Sequence, residues 1–90
     1  MRFAIITKDK DDAIQTRLNT RPDHIAYLQD TGVVEMAGPF LNEDGQMHGS
    51  LIIIDVADYD AARHWAENDP YAKADLFEKV RIEAWNKAIG

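Results

Sequence analysis

Apolar residues in this chain come in short runs between charged punctuation, and their spacing alternates between the two-residue period of strands and the 3.6-residue period of helices. Arg2 to Lys8 (RFAIITK) is apolar on both faces and β-branched, which predicts a central strand. Asp9 to Asp12 follow as a charged turn able to cap a helix, because aspartate accepts from the free N–H groups of a first turn. Ile14, Leu18, Ile25 and Leu28 then recur at helical spacing up to Thr31 and Gly32, where glycine supplies the positive φ that ends helices. Pro22 interrupts that stripe. A proline in mid-helix costs about 3 kcal/mol, so the pattern predicts two helical pieces. One runs to about Leu18, and a second starts near Arg21 with Pro22 in its first turn.

Val33 to Phe40 (VVEMAGPF) predicts a second strand, with Gly38 and Pro39 marking an edge or a bulge near its end. Asn42 to Gly49 is polar and glycine-containing, and reads as a loop. Ser50 to Val56 (SLIIIDV) is the strongest strand signal, Leu51 and Ile53 facing one way and Ile52, Ile54 and Val56 the other. Asp58 is placed to cap a helix with the stripe Ala62, Trp65, Ala66 and Asp69, ending at Pro70, so that Asp69 arrives at its C-terminal end. One further turn is expected over Tyr71 to Asp75, and alternation within Leu76 to Ile89 (Val80, Ile82, Ala84 against Lys79, Arg81, Glu83) predicts a final strand.

The order βαββαβ folds most simply as a ferredoxin-like α+β sandwich of a four-stranded antiparallel sheet with both helices on one face, the first and third strands central. Those two strands are apolar on the uncovered face too, so a homodimer or higher oligomer with sheets packed face to face is expected. Residues 1–90 form a single domain without linker, repeat or low-complexity segment.

Composition narrows the function. The chain is 46% hydrophobic and 29% charged, as a globular protein is, and no run approaches the ~20 apolar residues of a membrane span. Met1 leads straight into the first strand with no basic or apolar leader, which makes the cytoplasm the expected location. With no cysteine, disulfides, thiolate metal sites and cysteine nucleophiles are excluded. A formal net charge of −6 argues against a nucleic-acid partner.

Two proline-flanked motifs carry the candidate chemistry: Arg21-Pro22-Asp23-His24 and Asn68-Asp69-Pro70-Tyr71. His24 precedes Ile25 by one residue and Leu28 by four, so it can point into the groove between helix and sheet. It serves there as an acid or base, or merely as partner to a carboxylate. Asp69 accepts local backbone bonds in one reading; in the other it takes a bond from one imidazole nitrogen and leaves the second free for a substrate proton. Asp23 is a rival orienter, but helix neighbours diverge by about 100°, which makes it a solvated charge. Arg21 either binds an acidic or phenolate substrate or pairs with a carboxylate. Tyr71 brings its hydroxyl to the cleft mouth or packs, Ser50 donates into the pocket, and Gly38 and Pro39 shape its wall. His64 and His48 are placed in solvent and in the polar loop, and Trp65 and Trp85 in core or interface. No phosphate-cradling loop, Ser–His–Asp order or His-x-x-x-His spacing appears, and neither metal nor cofactor is implied.

Together Arg21-Pro22-x-His24, Ala37-Gly38-Pro39, Gly49-Ser50 and Asp69-Pro70-Tyr71, in this order, resemble the YciI-like (YCII-related) family over essentially the full length. The resemblance implies a dimeric α+β barrel-like fold of the muconolactone isomerase type and an active site with a His and an Asp, roles that fall on His24 and Asp69. The family includes an enzyme that eliminates chloride from a chlorinated hydroxyhydroquinone, which implies lyase or isomerase chemistry. The function expected is a cofactor-independent lyase or isomerase that moves a proton on a small cyclic or aromatic hydroxylated substrate. A non-catalytic dimeric module for a small ligand or a protein partner is the alternative. Substrate preference does not carry over, because such proteins vary over Leu41 to His48.

Overall fold

Phe3, Ile5 and Thr7 alternate with Ala4 and Ile6, and a strand so apolar on both sides belongs in the middle of a sheet. The computed structural model covers residues 1–90 and places it there. Its elements are β1 (Arg2–Asp9), α1 (Ile14–Asp30), β2 (Val34–Leu41), β3 (Met47–Asp55), α2 (Tyr59–Glu67), α3 (Pro70–Lys73) and β4 (Phe77–Ala84). The sheet runs β2-β3-β1-β4, every neighbour antiparallel, which is the expected ferredoxin-like α+β order with β1 and β3 central. Register sets Phe3 against Ile54, Ile5 against Ile52 and Thr7 against Ser50 on the helix side. Phe3, Ile5, Ile52 and Ile54 meet Leu28 of α1 and Ala62, Trp65 and Ala66 of α2 in one core. Asp58 caps α2 as expected, its carboxylate accepting from the Ala61 N–H at 2.8 Å.

The β2–β3 connection is tighter than the sequence suggests, because β3 begins at Met47 and takes His48 and Gly49 into the strand. Asn42 closes the turn: its Oδ1 accepts from the N–H groups of Asp44 and Gln46, and Gly45 supplies a φ of 80°. Gly49 is required by close approach, since a Cβ there would lie 2.2 Å from the Thr7 carbonyl oxygen.

Helix α1 departs from expectation in three ways. It is one continuous helix of 17 residues with Pro22 inside it, not two pieces. Both Pro22 and Leu18, whose carbonyl loses its donor to the proline ring, lie exposed. Water can take the free carbonyl, and a bond missing on the convex, solvent side bends a helix without ending it. Second, no aspartate caps α1: Ala13 holds the cap position without a side-chain bond, and Asp9 ends β1, buried. Third, the inward stripe is not Ile14, Leu18, Ile25 and Leu28. The buried residues are Arg17, His24 and Leu28, within about 20° of one line on ideal helical geometry, while Leu18 lies 47% exposed. The face of α1 that meets the sheet is half polar.

No helix is long and apolar enough to cross a membrane. Pro22→Ala restores a donor to the Leu18 carbonyl at an exposed site. Urea unfolding is expected to show a gain of about 1–2 kcal/mol.

Candidate active site

Four side chains, Arg17 and His24 on the inner line of α1 and Asp69 and Tyr71 at the start of α3, build one polar cluster. Pro70 forces the preceding residue out of helical geometry, so Asp69 is extended at φ −60° and ψ 129°. Asp69 is therefore not the C-terminal residue of α2, which ends at Glu67; it is the N-cap of α3, with Pro70 in the first helical position. Its Oδ1 accepts twice, from the Tyr71 N–H at 2.9 Å and from His24 Nδ1 at 2.7 Å. His24 and Asp69 are both buried. The cap turns Tyr71 back over the imidazole, with ring centroids 3.8 Å apart and planes 16° off parallel.

Tyr71 also carries the Arg17 guanidinium on its ring, 4.5 Å from the centroid. Arg17 is only 2% exposed and is held by a fork: Nε donates to Asp9 Oδ2 at 2.6 Å, and Nη2 donates to Asp9 Oδ1 at 2.9 Å and to Ser50 Oγ at 3.0 Å. Ser50 is fixed in turn, its N–H donating to Thr7 Oγ1 at 3.0 Å where Gly49 lets the strands close. Burial pushes the Tyr71 phenol above its usual range against the opposing pull of Arg17 and Arg21, with Asp69 adding to the rise. At neutral pH Tyr71 is a hydroxyl. Burial also raises Tyr27, helped by Asp69, and its hydroxyl donates to the Trp65 carbonyl at 2.8 Å.

These residues face a cleft of ≈ 80 Å³ between α1, α3 and the β2–β3 side of the sheet. Arg17, Arg21, His24, Ser50 and Tyr71 line it, with Gly38 and Pro39 of β2 on the opposite wall. Of the site residues expected from the sequence, Arg21, His24, Gly38, Pro39, Ser50 and Tyr71 line this cleft, and Asp69 stands behind His24. Arg21 takes part in none of the ion pairs of the fold. His64 is exposed on α2, as expected; His48 is exposed too, though on β3 and beside Phe40, not in a loop. Asp23 is exposed. No group of three or more His, Asp or Glu residues is arranged to hold a metal ion.

Sequence reasoning missed Arg17 and Asp9. A signal was present, because position 17 lies seven residues before His24 and eleven before Leu28, and a histidine turned inward turns Arg17 inward with it.

A model of the YCII-related domain matches residues 1–86. The chain belongs to the YCII-related family. Protein YciI of Escherichia coli O6:H1 is 35% identical over 98 residues, spanning 99% of this chain and 100% of that protein. The solved structure of 5-chloro-2-hydroxyhydroquinone dehydrochlorinase (TftG) from Burkholderia phenoliruptrix AC1100, in complex with 2,5-dihydroxybenzoquinone, superposes with a TM-score of 0.87. Identity is 33%, over 96% of this chain and 94% of that one. An antibiotic biosynthesis monooxygenase, 11% identical with a TM-score of 0.62 over 99% of this chain and 100% of its own, shares the fold alone. Membership agrees with the resemblance carried by the four motifs, and the structure gathers residues from all four at one cleft.

Removing one partner of a buried ion pair strands the other charge. Asp9→Ala in this YCII-related chain is expected to lose about 3–5 kcal/mol of stability in chemical denaturation, and Asp9→Leu combined with Arg17→Met to recover most of it.

Proposed function

We propose that this YCII-related chain is a cofactor-independent lyase or isomerase in which His24, oriented by Asp69, moves a proton on a small cyclic or aromatic hydroxylated substrate. The carrying observation is the buried 2.7 Å bond from His24 Nδ1 to Asp69 Oδ1 at the back of an open cleft. With Nδ1–H donated to the carboxylate, Nε2 holds the lone pair, and the same carboxylate stabilises the imidazolium formed when a proton arrives. Ile25, Leu28, Pro39, Met47 and Ile52 supply apolar walls suited to the faces of a ring. The relation to TftG supports this reading, since that enzyme is a dehydrochlorinase solved with a hydroxyquinone bound.

Asp69→Asn tests it. Asparagine caps a helix as well as aspartate does, so α3 and the fold are retained, while the imidazole loses its anionic partner. Proton exchange or turnover on a hydroxylated ring screened from a thermal-shift panel is expected to fall by about 10²–10⁴, with ring affinity little changed. Equal loss in affinity and none in rate would instead favour the ligand-binding module.

The molecule works as a homodimer in this proposal, through the sheet face that no helix covers. Ile6 and Leu51 are half-buried there, and Met36 and Phe40 exposed. Gly38 lies on the same face without a positive φ, and a Cβ there would meet nothing within 4 Å, so the single chain gives no reason for glycine. A second sheet packed close does. Sedimentation equilibrium at micromolar concentration is expected to return twice the chain mass of 10.2 kDa, and Met36→Glu to return the chain mass. A wild-type monomer at that concentration overturns the dimer.

A further inference from the structure

We infer that Met47 determines which ligands the cleft accepts: its side chain is the wall that limits a ligand to one ring, and past it the groove continues into a second chamber suited to a hydroxylated substituent. This rests on the proposed binding of a hydroxylated ring and adds the ligand's size and the residue that sets it.

A bulge aims Met47. Alternation along β3 sends Ser50, Ile52 and Ile54 toward the helices and Gly49, Leu51 and Ile53 to the open face, and strict continuation would send residue 47 to the open face as well. The register breaks first. Phe40 pairs with Gly49, but the next residue of β2, Leu41, pairs with Met47, so His48 is an extra residue in β3. Met47 is thereby carried to the helix side, where it lines the cleft with Ser50 and Ile52. His48 is left exposed beside Phe40, ring centroids 6.3 Å apart.

On the far side of Met47 lies a second chamber of ≈ 210 Å³, against ≈ 80 Å³ for the cleft, and no other residue lines both. The two spaces follow one another along the same helix: Ala13 and Ile14 of α1 line the chamber, and Arg17, Arg21 and His24 the cleft. Beside Met47 the partition is completed by the Arg17–Asp9 pair, Arg17 on the cleft side and Asp9 on the chamber side. That part is locked by its two bonds. Methionine is unbranched and held by packing, so Met47 is the part of the wall that a ligand or a substitution can open.

Volume decides what each space admits. An apolar cavity of about 150 Å³ holds one benzene, so a ring occupies the cleft and its mouth and leaves nothing over on the Met47 side. At 1.5 Å of rise per residue, Arg17 stands about 10 Å from His24 along α1 and Ile14 about 15 Å. A ring whose hydroxyl meets His24 spans the first distance, and a substituent para to that hydroxyl reaches the partition. Asn42, Gln46 and the exposed carboxylates of Asp11 and Asp12 are among the groups around the chamber, so the substituent that suits it ends in a hydroxyl and not in bare hydrocarbon.

Titrations followed by two-dimensional NMR, which report folding and affinity together, test this with phenol, 4-(2-hydroxyethyl)phenol and 4-ethylphenol. The wild-type chain is expected to bind phenol at least about threefold more tightly than either longer compound. Met47→Ala is expected to tighten the hydroxyethyl compound about tenfold, as two methylenes leave water, with phenol changed by less than about threefold. 4-Ethylphenol is expected to gain less. Met47→Leu, of similar volume, is expected to keep the wild-type ratio. Met47→Val, β-branched and favoured in a strand, opens the wall part-way and gives about a threefold gain even if Met47→Ala does not fold. Equal wild-type affinity for phenol and the hydroxyethyl compound, a ratio unchanged in the folded variants, or affinity for all three compounds lost together overturns Met47 as the limiting wall and leaves the ring-binding cleft standing. A gain by 4-ethylphenol equal to that of the hydroxyethyl compound overturns the polar chamber. Absence of saturable binding of any of the three by wild type and variants overturns both the wall and the ring-binding cleft.

Discussion

A guanidinium is rarely buried without a carboxylate to receive it, and the pairing of Arg17 with Asp9 is the constraint around which this molecule is arranged. The pair joins the end of β1 to the second turn of α1, and through Ser50 it also ties in β3. Those ties fix the rotation of α1 about its own axis. Once Arg17 faces the sheet, helical geometry puts His24 two turns on and Leu28 three turns on beneath the same surface. A more apolar helix would sit on this sheet with Leu18 inward and its histidine turned aside. Burial of a costly ion pair thereby sets a register that hydrophobic packing alone would not choose, a role better attested for buried polar groups than any gain in stability.

The second arm of the site depends on a proline acting at a distance from the chemistry. Pro70 ends any continuation of α2 and obliges Asp69 to adopt extended geometry, which swings its carboxylate inward. One oxygen then caps α3 and receives His24 together. The two duties reinforce each other. The cap holds the acceptor still, and a stationary acceptor defines the imidazole plane on which Tyr71 stacks. Tyr71 closes the circuit, with Arg17 against its ring at 4.5 Å. The cluster is therefore a single polar network with four sources, β1, α1, β3 and α3, and loosening any of them would be felt at the others.

Much of this was legible in the residues. Alternation in RFAIITK and SLIIIDV marks central strands, Asp58 marks a cap, and two prolines point to His24 and Asp69. What misled was a default that usually holds: charged residues between a strand and a helix read as a solvated turn, and leucine at helical spacing reads as core. Here Asp9 and Arg17 neutralise each other inside the protein, so Leu18 is turned outward while Leu28 alone of the expected stripe stays on the inner line. Pro22 misled for a related reason. Its penalty is real, but it falls on a carbonyl that water reaches, and nothing in the sequence states which side of a helix is wet until the inward line is known.

The fold accounts for where the cleft lies and for little of what it does. A sheet with helices on one face leaves a groove wherever a helix lifts off the edge strands, and a fold shared at 11% identity cannot carry a particular chemistry into that groove. The distinguishing content is the polar line on α1. Apolar residues at positions 17 and 24 would fill the groove and strengthen the core by the usual ~25 cal/mol per Å² of buried apolar surface. This chain keeps a guanidinium paired with a carboxylate and an imidazole paired with another there instead. Holding polar groups in a groove that apolar side chains could fill forgoes that stabilisation, which is the cost of keeping the cleft open.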